Sequence, residues 1–191
     1  MVQIAVAYHS GFGHTAKQAE AVAKGVESVE GAKAVLVAVD KLGEDWDALT
    51  KADGIIFGSP TYMGGVSAQF KTFMDASSKL WYGRAWKDKI AAGFTNSASQ
   101  SGDKLSTLLQ LAIFAAQHGM IWVGLDLLPG NNNSKGSVED LNRLGSFLGA
   151  MAQSNADEGA EVVPPASDLK TAEHLGARVA TQAKAFVAGR Q

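Results

Sequence analysis

Short apolar runs alternate with helical stripes along the 191-residue chain. Runs rich in β-branched and small apolar residues fall at positions 2–8, 34–39, 54–58, 90–95 and 121–125. They are continuous rather than alternating, the pattern of strands covered on both faces. Between them, residues 13–29, 45–51, 66–78, 102–118 and 169–187 repeat apolar positions at helical spacing; the first reads A-x-x-A-x-x-V-A-x-G-V. Such alternation predicts an α/β fold with a parallel sheet and right-handed crossovers. Residues 131–136 and 157–165 read as loops. Residues 138–151 read as helical by propensity, although a helix there would join the fifth strand to nothing. Residues 105–117 are apolar on nearly every side, which predicts burial in the core or against another subunit.

Composition narrows the chemistry. A chain of this length with 46% hydrophobic residues suits a single domain, taken as 1–191. It contains no cysteine, which excludes disulfides, thiolate metal sites and a Cys nucleophile, so any redox chemistry needs an organic cofactor. A net charge of −2 lacks the basic face of a nucleic-acid binder. It also lacks the dense acidic surface that would steer cationic redox partners. No apolar run is long enough for a membrane span, and no secretory leader pattern is visible, so the expected location is cytoplasmic. His9, His14 and His174 do not form a ligand spacing, and no metal is expected.

The first strand runs into Ser10-Gly11-Phe12-Gly13-His14-Thr15 and then a helix. Free N–H groups and the helix dipole favour an anion there, and the glycines allow close approach. The loop lacks the Gly-Lys-Ser/Thr of a Walker A motif. It matches G-x-G-x-x-A only loosely, and the candidate ribose acid, Asp40, lies 29 residues after Gly11, later than the usual spacing of about 20. Hydroxyls at Ser10 and Thr15 suit a phosphate monoester such as that of FMN; a capped helix without ligand is the plainer alternative. The third strand leads into Ser59-Pro60-Thr61-Tyr62-Met63-Gly64-Gly65 and the fourth into Thr95-Asn96-Ser97-Ala98-Ser99-Gln100-Ser101. In a doubly wound sheet these loops meet the first at the carboxyl edge. Tyr62 and Met63 offer a surface for a flat ring, and the small polar residues leave backbone free to read its edge. Each loop alone could be an ordinary turn.

The set S-G-F-G-H-T, I-I-F-G-S-P-T-Y-M-G, F-K-T-F-M-D and H-G-M, with the final L-K-T-A-E-H-L-G-A-R-V-A, resembles the WrbA-type NAD(P)H:quinone oxidoreductases of the flavodoxin-like superfamily over most of the chain. The resemblance implies a doubly wound five-stranded parallel sheet in the order 2-1-3-4-5 with helices on both faces. It implies bound FMN, NADH or NADPH as electron donor, and a quinone as acceptor. Ser10 to Thr15 would hold the phosphate. Pro60, Thr61, Tyr62, Met63 and Gly64 would flank the flavin, and Thr95 to Ser101 would cradle its pyrimidine side and ribityl chain. Gln117 and His118 would approach the ring, while Phe12 and Trp81 would contact the nicotinamide or quinone. The resemblance also implies a homodimer or homotetramer.

The chain departs from the family in four places, one of them the compact second helix region, residues 40–53, where relatives often carry an insertion. Asn96 to Ser101 replaces the usual run of Gly and Thr. Gln117-His118 replaces a pair of histidines, and a lone histidine at a helix end is more often a cap. Leu141 to Gly145 replaces Gly-x-Pro-Tyr-Gly, and on the family pattern residues 146–152 form the second half of an interrupted fifth strand. No acid–base pair stands out; Asp75 and Asp103 read as solvated helix residues. The competing functions are a flavodoxin-type one-electron carrier, an FMN or azo reductase, and a flavin-binding protein that recognises a partner without turnover.

Overall fold

In a computed structural model, residues 1–43 and 46–190 are described. The expected start of the second helix at residue 45 and the end of the domain at 191 lie outside them. The chain runs β1 (Val2–Tyr8), α1 (His14–Glu27), β2 (Ala32–Ala38), a 3₁₀ turn, α2 (Asp47–Lys51), β3 (Gly54–Tyr62), β4 (Gly65–Val66), α3 (Ala68–Ala76), α4 (Ser78–Tyr82), β5 (Ile90–Ser97), α5 (Lys104–Gln117), β6 (Ile121–Trp122), β7 (Ala150–Gln153) and α6 (Ala166–Ala188).

The parallel order is β2-β1-β3-β5, with β6 and β7 both paired to β5 and β4 folded back antiparallel on β3. This is the expected 2-1-3-4-5 order, with the fifth position shared by two short strands. Ile90 and Ala91 pair with β6, while Phe94 to Ser97 pair with β7. The returning half runs over Ala150–Gln153 rather than 146–152. The helix suggested by propensity for residues 138–151 does not form. Asn142 and Gly145 both adopt positive φ there. The Asn142 side chain donates to Leu127 O and Ser146 O and accepts from Ser146 N–H, each at 2.9 Å. These bonds give the backbone an alternative to the helical ladder.

Helix starts follow local chemistry. α1 begins after Gly13 at φ 90°, and α5 begins only at Lys104 because Gly102 and Asp103 both have positive φ. The expected helix at 66–78 is two shorter pieces, the first capped by Ser67 Oγ, which accepts from Phe70 N–H.

Each strand sends alternate side chains to opposite layers. Ile4, Val6, Ile56 and Phe94 pack with Val22, Val26, Leu175 and Val179 of α1 and α6. Ala5, Ala7, Ile55 and Phe57 pack with Phe70, Phe73, Leu108, Leu111 and Trp86 on the other face. α1 and α6 touch backbone to backbone. A Cβ at Gly176 would lie 2.0 Å from Val22 O, and one at Gly25 1.8 Å from Glu173 O. The outcome is that the loops after β1, β3, β5 and β7 gather at one edge. Among the described residues no helix is long and apolar enough to cross a membrane.

Candidate functional site

A cavity of about 250 Å³ opens at that edge. Ser10, Phe12, His14 and Thr15 line it from the first loop, Pro60, Thr61 and Tyr62 from the end of β3, and Asn96, Ser97 and Ala98 from the end of β5. Ser154 and Ala156, after β7, complete the wall.

The first loop presents a run of unpaired donors. The N–H groups of Phe12, Gly13, His14 and Thr15 have no hydrogen-bond partner among the described residues. Order resumes at Ala16, whose N–H reaches Ser10 Oγ at 3.1 Å, and at Lys17, bonded to Gly13 O at 3.0 Å. Among the described residues neither Lys nor Arg lines the cavity, and the donors at this end are helix-end N–H groups and hydroxyls. His14 Nε2 donates to Glu158 O at 2.9 Å and ties this loop to the one after β7. A Cβ at Gly11 would lie 2.6 Å from the Tyr62 hydroxyl, so only glycine lets that ring close over the loop. Burial raises the Tyr62 pKa, and contact with the Gly11 backbone opposes the rise. Phe12 and Tyr62 meet edge to face at 6.4 Å.

The floor is a chain of hydroxyls. Thr61 Oγ1 lies 2.8 Å from both Thr95 Oγ1 and Thr107 Oγ1, locking β3 to β5 and α5. Thr95 is therefore beneath the cavity wall and supports it. Ser154 Oγ donates to Asn96 Oδ1 at 3.0 Å.

The remaining sequence candidates lie elsewhere. Gly11 and Gly13 contribute backbone to the first loop. Met63, at φ 48°, and Gly64, at φ 80°, form the exposed tip of the β3–β4 hairpin. Ser99, Gln100 and Ser101 form an exposed turn beside the cavity. Trp81, Gln117 and His118 are not brought to it. They line a separate space of about 570 Å³ between α3, α4 and α5. His118 faces inward because its flat ring packs into the aromatic core, 4.3 Å from Trp86 and 4.9 Å from Phe114. Its Nε2 donates to Ser77 Oγ at 2.9 Å, since Ser77 gives its own proton to Met74 O. Burial pushes the imidazole down to about 4, so it is neutral near pH 7, and it does not line the cavity.

Sequence reasoning missed Ser154 and Ala156, although the expected strand return at 146–152 already implied a loop reaching this edge. It also missed Lys104, which donates to Ser97 Oγ, Ser99 O and Gln100 O from beneath the third loop. Its only signal was a lysine at a helix start, which reads as solvent-exposed.

Residues 39–132 match the model of the NADPH-dependent FMN reductase family. The chain is 47% identical over 184 residues to flavodoxin FldP of Pseudomonas aeruginosa, covering 94% of this chain and 96% of that protein. It is 34% identical over 207 residues to an NAD(P)H dehydrogenase (quinone) of Archaeoglobus fulgidus, covering 96% and 98%. Among solved structures, a flavodoxin, WrbA-like protein from Agrobacterium tumefaciens is 45% identical, with a TM-score of 0.74 over 97% of this chain and 99% of that one.

Proposed function

The chain belongs to the WrbA-type family of flavodoxin-like FMN-dependent NAD(P)H:quinone oxidoreductases, and from that premise we propose that it moves two electrons from NAD(P)H to a quinone. It is an oxidoreductase with FMN as cofactor and a reduced nicotinamide as donor.

The observation that carries this reading is the cavity at the strand ends. The residues present fit FMN. The unpartnered N–H groups of Phe12 to Thr15, with the Ser10 and Thr15 hydroxyls, match a terminal phosphate. Tyr62 and Phe12 offer aromatic surface at the ring end, and the backbone N–H groups of Ala98, Ser99 and Gln100 have no partner among the described residues and can read the polar edge. When bound, FMN supplies the capacity to accept hydride from a nicotinamide and pass reducing equivalents on.

The chain's own work is to bind and orient. Gly11 lets Tyr62 close against the first loop and exclude water there. The Thr95–Thr61–Thr107 chain keeps the β3 end rigid. His14 has its Nε2 proton engaged by Glu158 O and serves the loop's shape. Trp81, 45% exposed on α4, remains available as a stacking surface in the second space.

Similarity to a protein called a flavodoxin favours a second reading, a one-electron carrier built on the same loops. FMN or azo reduction differs only in acceptor. Anaerobic titration with NADH and NADPH, followed by benzoquinone, separates these. Bleaching of the flavin by two electron equivalents and recovery on quinone addition supports the oxidoreductase. No reduction by either nicotinamide, with a persistent radical spectrum under dithionite, supports the carrier.

Assembly as a homodimer or homotetramer belongs to the same proposal. It is supported by Leu105, Leu109 and Ile113, which form an exposed apolar stripe on α5.

A further inference from the structure

Lys104 is placed where helix stability does not want it. It is the first residue of α5, where the helix end carries partial positive charge, and it is only 1% exposed. Burying an ammonium is costly unless its protons are satisfied. Its Nζ donates to Ser97 Oγ at 2.8 Å, to Ser99 O at 2.9 Å and to Gln100 O at 2.8 Å. An ammonium has three protons, and all three are used on one loop.

The same loop is held from the other side. Gln153 Nε2 donates to Ala98 O at 2.9 Å. Gln153 is itself placed by Asp168, whose Oδ2 accepts its N–H at 2.9 Å, while Arg143 grips both Asp168 oxygens at 2.8 Å. The carbonyls of Ala98, Ser99 and Gln100 are thus tied back by side chains, and their N–H groups have no partner among the described residues. A loop without glycine between Asn96 and Ser101 gains a fixed shape by anchoring its acceptors.

We propose that Lys104 is a positioning residue for the flavin's polar edge: it locks residues 97–100 so that the N–H groups of Ala98, Ser99 and Gln100 serve the cofactor, and it keeps a positive charge one hydrogen bond behind the cavity wall at Ser97. The proposal rests on the FMN reading above. Two consequences follow from chemistry. A neutral amine has two protons for three acceptors, so deprotonation loosens the loop. A cation behind the wall favours the cofactor's more negative, reduced form over its oxidised form. Burial pulls Lys104 down to about 8, Asp168 opposing and Arg143 adding to the shift. Among the described residues those two, from α6 and the segment before β7, are the charged groups that act on it, and they are paired with each other. Asp103, its exposed neighbour, precedes it on the chain.

The test compares the wild-type chain with Lys104→Met and Lys104→Gln. FMN affinity is read by fluorescence quenching at pH 7 and 9.5, the flavin midpoint potential at pH 7, and the fold by thermal unfolding. Expected are about tenfold weaker FMN binding by the wild type at pH 9.5 than at pH 7, and about tenfold weaker binding by both variants at pH 7 with that pH difference lost. The midpoint potential of the variants falls, because the reduced form loses more affinity than the oxidised form; a further tenfold loss is about 30 mV for a two-electron couple. Variants that match the wild type in affinity, pH dependence and potential overturn the proposal and leave the FMN reading intact. If the variants fail to fold, a wild-type affinity that is flat from pH 7 to 9.5 overturns it equally. A wild-type chain that takes up no FMN overturns the cofactor reading and this proposal with it.

Discussion

At the residue scale, His118 shows how surroundings decide chemistry. Its Nε2 proton goes to Ser77, its Nδ1 is buried without a partner, and aromatic rings enclose it. The neutral form is therefore the folded form's preference, with the pKa lowered from 6.5 to about 4. In the unfolded chain the imidazole takes up a proton near 6.5. Between pH 6.5 and 4 the unfolded state binds more protons, so the stabilisation is full above 6.5 and is lost as pH falls toward 4. The loss attributable to His118 reaches up to about 3 kcal/mol. Urea unfolding at pH 7 and 4.5 checks this: His118→Gln is expected to show a smaller acid loss than the wild type, and equal losses would sink the assignment. The sequence made a histidine beside Gly119-Met120 visible but not its direction, because direction depends on Ser77 and Trp86 from distant segments. By contrast, the hydroxyl-rich first loop was legible, since strand, glycines and helix start are contiguous in the chain.

At the element scale, the strand–helix alternation was readable because buried parallel strands and amphipathic helices leave different periods. The division of the fifth strand was not readable from propensity. Residues 138–151 favour a helix locally; local turns at Asn142 and Ser146 oppose that preference, and Asn142 N–H on Thr171 Oγ1 and the Arg143–Asp168 pair override it through bonds across the fold. That ion pair is buried, with side-chain exposures of 10% and 2%. Removing one partner leaves an uncompensated buried charge, so Arg143→Met is expected to cost about 3–5 kcal/mol. Arg143→Met combined with Asp168→Leu should cost less than the sum of the two single changes, as denaturant unfolding would show. The α1–α6 contact makes a separate demand. Gly176 has ordinary helical surroundings in sequence, yet Val22 O occupies the place of its Cβ. Gly176→Ala must separate the helices and is expected to lose about 1–3 kcal/mol or more despite alanine's better helix propensity. An unchanged or raised melting temperature would contradict the close packing.

At the scale of the whole molecule, the cavity lining is drawn from the loops after four strands of the sheet, so cofactor binding should couple directly to global stability. FMN at about 100 times its Kd adds roughly 2.7 kcal/mol, or about 5–11 °C in melting temperature for a chain of this size. Assembly is a separate matter and rests on α5. An all-round apolar helix was expected to be buried in the core or against another subunit, and one of its faces meets the core. Leu108, Leu111 and Ala115 pack on the sheet, while Leu105, Leu109 and Ile113 are 53%, 47% and 61% exposed. Their spacing of four places them on one outward stripe. Exposed large apolar groups in a row mark an interaction surface, and a second copy of the chain would cover this one. Sedimentation of the wild type is expected to show a dimer or tetramer, and Leu109→Glu with Ile113→Glu a monomer, because two buried carboxylates cannot be desolvated without partners. The monomer should still bind FMN with wild-type affinity, since the stripe does not line the cavity. A wild-type monomer would dismiss the interface. A variant that dissociates and also loses FMN would show that the cofactor site needs the neighbouring copy.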